Sequence, residues 1–120
     1  MIEKSPNIVL EKTFEFALEV INFCEKLEEC KKYVISKQLL KSGTSIGANV
    51  REAQSTESKV DFIHKMKIAE KELLETEYWL LLCKQAANYP FDATLLVRLD
   101  EIKKIIAKII VTTKNNVNRN

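Results

Sequence analysis

Turn-forming residues are scarce in this chain: its 120 residues include only two glycines and two prolines. Sandwiches and barrels need many tight turns, which draw on those residue types. Their scarcity argues against such folds and for a few long helices. No run of about 18 apolar residues occurs, so no membrane span is expected. The stretch Met1–Pro6 has no apolar signal core, and the expected compartment is the cytoplasm. Cys24, Cys30 and Cys83 are odd in number and form no C-x-x-C pair, which argues against a disulfide framework or a zinc site and for packed thiols. Histidine occurs once, at His64. Any Ser-His-Asp or Cys-His arrangement would have to use it, and it lies mid-helix between Ile63 and Lys65. There is no H-E-x-x-H, no E-x-x-H and no G-x-x-x-x-G-K-[ST], and Arg51 is too far upstream to make an Arg-x4-6-His ribonuclease motif. The expectation is a protein without catalysis, cofactor or metal.

What remains is 46% hydrophobic and 30% charged, within the range of ordinary globular chains. The length suits one domain, residues 1–120, with a single core. Punctuation and period predict four helices, at about 6–30, 37–55, 59–87 and 93–113, with a frayed tail at 114–120. The first should open at Ser5-Pro6 as cap and first position. It carries two apolar stripes, one through Leu10, Phe14, Ala17, Ile21 and Cys24, the other through Val9, Phe16, Val20, Phe23 and Leu27. Two stripes imply burial on more than one side. The second helix should be capped by Ser36, with Ile35 and Leu40 as a hydrophobic staple. Gly43 and Gly47 within it each cost about 1 kcal/mol relative to alanine, which suggests a close helix approach there. In the third, capped by Ser58, a seam runs Phe62, Met66, Ala69, Leu73, Thr76, Leu80, Cys83 and Ala87 in steps of four and three. Asn88-Tyr89-Pro90 should stop it. Asp92 should cap the fourth, whose seam is Leu95, Leu99, Ile102, Ile106 and Ile109. Short connections make consecutive helices antiparallel neighbours, so the expected fold is an all-α, up-down-up-down four-helix bundle.

The formal net charge is only +2. Basic residues nevertheless gather between Lys32 and Lys71, and the segment after Ile102 holds five basic residues and no acidic one. That arm suits either an acidic partner or the negative end of the last helix dipole. Glu70, Glu72, Glu75 and Glu77 form a carboxylate cluster with two readings: acid–base or metal chemistry, or a charged strip served by Lys67 and Lys71.

The stretch from Ser42 to Ala53, S-G-T-S-I-G-A-N-V-R-E-A, and a second block from Asp61 to Leu80 containing E-T-E-Y-W, resemble the 23S ribosomal RNA intervening-sequence proteins, also called the S23 ribosomal protein family. With the flanking helices the resemblance spans essentially the whole chain. It implies a bacterial four-helix bundle that assembles as a homo-oligomer, typically a pentamer. A related bundle, the accessory protein of diversity-generating retroelements, is a basic pentamer that partners a reverse transcriptase and nucleic acid. The residues carried over are Ser45, Ile46, Gly47, Ala48, Asn49, Glu52 and Ala53 in the second helix, and Glu75, Tyr78 and Trp79 in the third. Asn49 and Glu52 share a helix face and suit a hydrogen bond across a helix or subunit contact, or a ligand contact. Trp79 suits packing or base stacking.

Two functions follow. In one, the oligomer binds RNA or DNA through Lys32, Lys37, Lys41, Arg51, Lys59, Lys65 and Lys67 as phosphate contacts. In the other, it is a scaffold or accessory subunit that holds a partner enzyme and does not touch nucleic acid.

Overall fold

A computed structural model describes residues 7–118. Four helices follow in order: α1 Ile8–Glu29, α2 Tyr33–Ala53, α3 Lys59–Gln85 and α4 Ala93–Asn118. Among the described residues the close backbone packing runs around the ring α1–α2–α3–α4–α1, and the diagonal pairs α1–α3 and α2–α4 approach only through core side chains, so each helix is one corner of a square bundle. Short loops make neighbours antiparallel, so α1 and α3 point the same way. None of the helices is long and apolar enough to cross a membrane.

One stripe from each helix fills the core. On α1 it is the stripe of Val9, Phe16, Val20, Phe23 and Leu27, joined by Cys24. The other expected stripe does not follow it: Phe14 and Ile21 face outward, and Leu10 and Ala17 are only half-buried. On α3 the seam is buried from Met66 through Cys83, while Phe62 is half-buried and Ala87 exposed. On α4, Leu95, Leu99, Ile102 and Ile106 are buried as expected, but the seam is completed by Ile110 rather than Ile109, which is half-buried.

The helix ends correct several expectations. Ser5 and Pro6 lie outside the described residues, and Asn7 precedes α1 without a side-chain cap bond. The α1–α2 turn is tighter than expected. Lys31 adopts the left-handed conformation at φ 64, the Lys31 amide bonds to the Glu28 carbonyl and the Lys32 amide to the Leu27 carbonyl, both at 2.8 Å. This is the double-bonded left-handed stop usually given to glycine. It lets α2 begin at Tyr33, so Ser36 is not its cap. Ser36 instead lies buried in the helix, its hydroxyl donating to the Cys24 carbonyl at 3.2 Å, and Leu40 is partly exposed rather than stapled. Ser58 does cap α3, its Oγ accepting the Asp61 amide at 3.1 Å. α3 ends at Gln85, and Asn88 adopts its left-handed turn, φ 65, in the loop beyond rather than at the helix end. Asp92 Oδ1 accepts the Thr94 amide at 3.0 Å and opens α4. α4 continues to Asn118, so residues 114–118 are helical rather than a loose tail.

Gly43 and Gly47 lie where α1 comes closest. A Cβ on Gly43 would stand 2.9 Å from both Val20 methyls, and one on Gly47 3.3 Å from Thr13. On the other flank of α2, Ser42 Oγ and Thr76 Oγ1 lie 2.9 Å apart, a buried hydroxyl pair joining α2 to α3. These contacts fix the levels of the helices: Val20 of α1 and Thr76 of α3 sit at the same height, on either side of Gly43 and Ser42.

Candidate nucleic-acid interface

At 100° per residue, Lys37, Lys41 and Arg51 fall within about 80° of arc on the outer side of α2. All three are exposed, and none is ion-paired with a described residue. Thr44 and Ala48 lie between them on the same face, leaving no bulky or acidic side chain in the middle of the patch. Beside this face runs a groove of about 220 Å³ between α1 and α2, lined by Leu10, Phe14 and Ala17 on one wall and by Thr44, Ala48 and Arg51 on the other. The groove exists because α1 and α2 meet on Gly43 and Gly47: small residues at the contact leave a shallow trough above it.

The other four expected cations do not join this patch. Lys32 sits in the α1–α2 turn with its ammonium 4.6 Å from the centre of the Tyr89 ring. Lys59 is exposed in the first turn of α3. Lys65 bridges to Glu52 at 2.7 Å, tying α3 to α2. Lys67 makes a long 3.5 Å contact with Glu70 within α3.

The residues of the α2 motif divide by direction. Ile46 and Ala53 are buried in the core. Gly47 touches Thr13, and Ala48 lines the groove. Ser45 donates to the Lys41 carbonyl at 2.6 Å, and Asn49 donates to the Ser45 carbonyl at 2.9 Å. Asn49 is thus engaged within its own helix, while Glu52 makes the cross-helix contact to Lys65. On α3, the Trp79 indole N–H donates to Glu75 Oε2 at 3.2 Å. Tyr78 meets Trp79 edge-on at 5.4 Å, and Trp79 packs half-buried against the core.

The carboxylate cluster is dispersed. Glu70 faces Lys67, Glu75 holds Trp79, and Glu77 reaches Lys103 of α4 at 3.7 Å. Among the described residues no group of three or more His, Cys, Asp or Glu side chains is arranged to hold a metal ion. His64 is exposed on α3. The perturbed ionisable groups lie elsewhere. Burial pushes the Cys24 thiol up to about 11, and burial also raises Cys83. The hydrogen bond from Thr94 holds Asp92 below the ordinary carboxylate value.

The groove wall from α1 was not singled out from the sequence. Its signal was there, in the second apolar stripe of α1, but the stripe alone could not say which of the two would face outward.

Comparison with known proteins places this geometry. Residues 5–109 match the family model described as 23S rRNA-intervening sequence protein. A solved structure from Bacteroides thetaiotaomicron VPI-5482, of a protein of unknown function from the S23 ribosomal protein family, is similar with a TM-score of 0.79 and 45% sequence identity. The alignment covers 85% of this chain and 97% of that one. No curated protein matches the chain.

Proposed function

We propose a function from one premise: the chain belongs to the 23S rRNA-intervening sequence protein family. It acts in the cytoplasm as a non-catalytic homo-oligomer, a pentamer by the family resemblance, and binds structured RNA or duplex DNA through the outer face of α2. The observation that carries the reading is the set Lys37, Lys41 and Arg51. Three exposed cations, free of ion pairs to described residues, share one helix face across a span of 14 residues. At 1.5 Å per residue the outer two stand about 21 Å apart, about six phosphate spacings along one strand of a duplex at about 3.4 Å each. Such contacts read charge and backbone position rather than base sequence. One copy would bind weakly. An oligomer repeats the patch, and each contact after the first forms within an already bound complex. Trp79 takes no part, because its ring packs inward and its N–H is held by Glu75.

Three phosphate contacts per copy give a slope of about −2.7 in log affinity against log salt for duplex DNA. Between 50 and 200 mM salt that is a loss of about 40-fold for each engaged copy. The test is a salt series with purified oligomer against a structured RNA and a DNA duplex. Charge reversal of Lys37, Lys41 and Arg51 together should abolish binding without changing assembly. Intact oligomer that binds neither nucleic acid at low salt overturns the reading and leaves the scaffold for a partner enzyme.

A further inference from the structure

The groove between α1 and α2 is apolar along its walls and basic at one end. Its volume is about 220 Å³, below the roughly 300–1,000 Å³ of pockets that take drug-sized ligands. On α1 the lining runs from Leu10 to Ala17, and on α2 from Thr44 to Arg51. Each wall therefore spans about 10 Å at 1.5 Å per residue. The helices are antiparallel, so Arg51 lies at the Leu10 end. Two contacts fix that register: Gly47 meets Thr13 midway, and Asn7 Nδ2 donates to Gln54 Oε1 at 3.2 Å just beyond Arg51. The hydroxyls on the walls are spent within their own helices. Thr13 donates to the Val9 carbonyl and Thr44 to the Leu40 carbonyl, both at 2.7 Å. Among the described residues Arg51 is the one charged side chain on the lining, and it has no ion pair. The nearest acids along the two helices do not enter: Glu52 is held by Lys65, and Glu11 is turned about 100° around α1 from Leu10. Phe14, on the α1 wall, is 59% exposed.

We infer that this groove binds a small aliphatic monocarboxylate of about eight carbons, its chain lying along Phe14, Ala17 and Ala48 and its carboxylate meeting the Arg51 guanidinium. The site shares Arg51 with the phosphate contacts proposed above but does not rest on them. Three features select this ligand. The first is charge. One guanidinium with no acid beside it suits a single anionic head, and its planar fork matches the two oxygens of a carboxylate with two parallel N–H···O bonds. The second is the character of the walls. With Thr13 and Thr44 already bonded, a sugar or nucleoside lying in the groove would leave its own hydroxyls unpaired, which is costly. An aliphatic chain has no polar group to strand, and it removes the Phe14 ring from water. The third is length. Carbon–carbon bonds of about 1.5 Å at angles near 111° advance about 1.25 Å each. The seven bonds of an eight-carbon acid thus span about 9 Å, and the carboxylate oxygens complete the reach to Arg51.

Octanoate is the probe, with octan-1-ol and acetate as controls. Titration calorimetry on the purified full chain, in whatever assembly it adopts, reads affinity and stoichiometry. Amide shifts in isotope-labelled protein read position. Octanoate should bind once per chain with a Kd of about 1 mM, shifting the amides of Phe14, Thr44 and Ala48. Octan-1-ol lacks the charge and acetate lacks the chain, so each should bind at least about tenfold more weakly. Arg51→Gln should weaken octanoate about tenfold and leave octan-1-ol unchanged. Ala48→Leu, which fills the groove with its own side chain, should abolish binding of both. Arg51 is exposed and Ala48 half-buried, and circular dichroism checks that each variant keeps the helical content of the unaltered protein. Octanoate binding that Arg51→Gln leaves unchanged, or that octan-1-ol equals, is adsorption to exposed apolar surface and overturns the inference. So does the lack of a saturable response at about ten times the expected Kd, or shifts confined to residues outside the groove. Nucleic-acid binding is read separately by the salt series, so either result can fail while the other stands.

Discussion

Adding one methyl group at Gly43 should destabilise the bundle, although the same change on an isolated helix would stabilise it. Gly→Ala inside a helix gains about 1 kcal/mol of propensity. At Gly43 the new Cβ would lie 2.9 Å from both methyls of Val20 and 3.3 Å from its Cβ. Val20 cannot swing aside, because a β-branched side chain has one strongly preferred rotamer in a helix. α1 and α2 must therefore move apart, and overpacking of this kind costs about 1–3 kcal/mol. The net expectation is a loss of about 1 kcal/mol. Gly47 is the internal control. A Cβ there would be 3.3 Å from Thr13, a contact that a shift of a few tenths of an ångström relieves. Gly47→Ala should fall between no change and a gain of about 1 kcal/mol. The decisive arm is Val20→Ala. That change alone should cost about 2 kcal/mol as a cavity, but it opens the space that Gly43→Ala fills. In the Val20→Ala background, Gly43→Ala should become stabilising by about 1 kcal/mol, a reversal of sign. Urea unfolding followed by circular dichroism, at one fixed protein concentration because any assembly would be linked to folding, reads the native chain and the four variants. If Gly43→Ala stabilises both backgrounds equally, α1 does not approach α2 at this point, and the account of the close contact and its groove fails.

Two further predictions concern ionisable side chains. Asp92→Ala should cost about 1 kcal/mol at neutral pH by removing the acceptor for the Thr94 amide at the start of α4. Because the hydrogen bond from Thr94 lowers the folded-state value of Asp92, its contribution is present above the ordinary aspartate value of about 3.9 and is lost as pH falls through the lower folded value; unfolding midpoints from pH 7 down to pH 2 should therefore converge for the native and Asp92→Ala chains, and a gap that persists in acid contradicts the cap. Of the three thiols, Cys30 is exposed while Cys24 and Cys83 are buried and raised by that burial. A disulfide reagent at pH 8 should label one thiol quickly and the other two only in denaturant; three equal rates would place Cys24 and Cys83 outside the core.

The bundle was legible because its period and punctuation agree along most of the chain. The steps of four and three on α3 and α4, and the caps at Ser58 and Asp92, each carry a local signal. The α1–α2 turn was not legible, because the left-handed position that ends α1 is held by Lys31 rather than by glycine or asparagine. Without that stop in view, Ser36 was the next plausible cap, and its burial against Cys24 is a tertiary fact that no local pattern carries. The candidate site was half legible. Lys37, Lys41 and Arg51 share a face by arithmetic, but which residues elsewhere join them depends on pairing across helices: Glu52 takes Lys65, and Tyr89 takes Lys32.

α2 joins these strands, since it carries most of the family motif, both glycines and three cations without an ion pair among the described residues. Its inner side is specified by shape. Gly43 and Gly47 admit α1, Ser42 meets Thr76, and Ile46, Val50 and Ala53 fill the core. The polar motif residues are consumed locally, Ser45 and Asn49 on carbonyls of their own helix and Glu52 on Lys65. On the proposed reading, these motif residues build the scaffold, and phosphate contact falls to Lys37, Lys41 and Arg51 on the face of α2 turned toward solvent. Lys37 and Lys41 lie before the motif, and Arg51 lies within it. A chain of this fold can thus keep its shape while the number of cations on α2 changes. The salt slope of binding, rather than the motif, is then the quantity that separates a member that holds nucleic acid from one that does not.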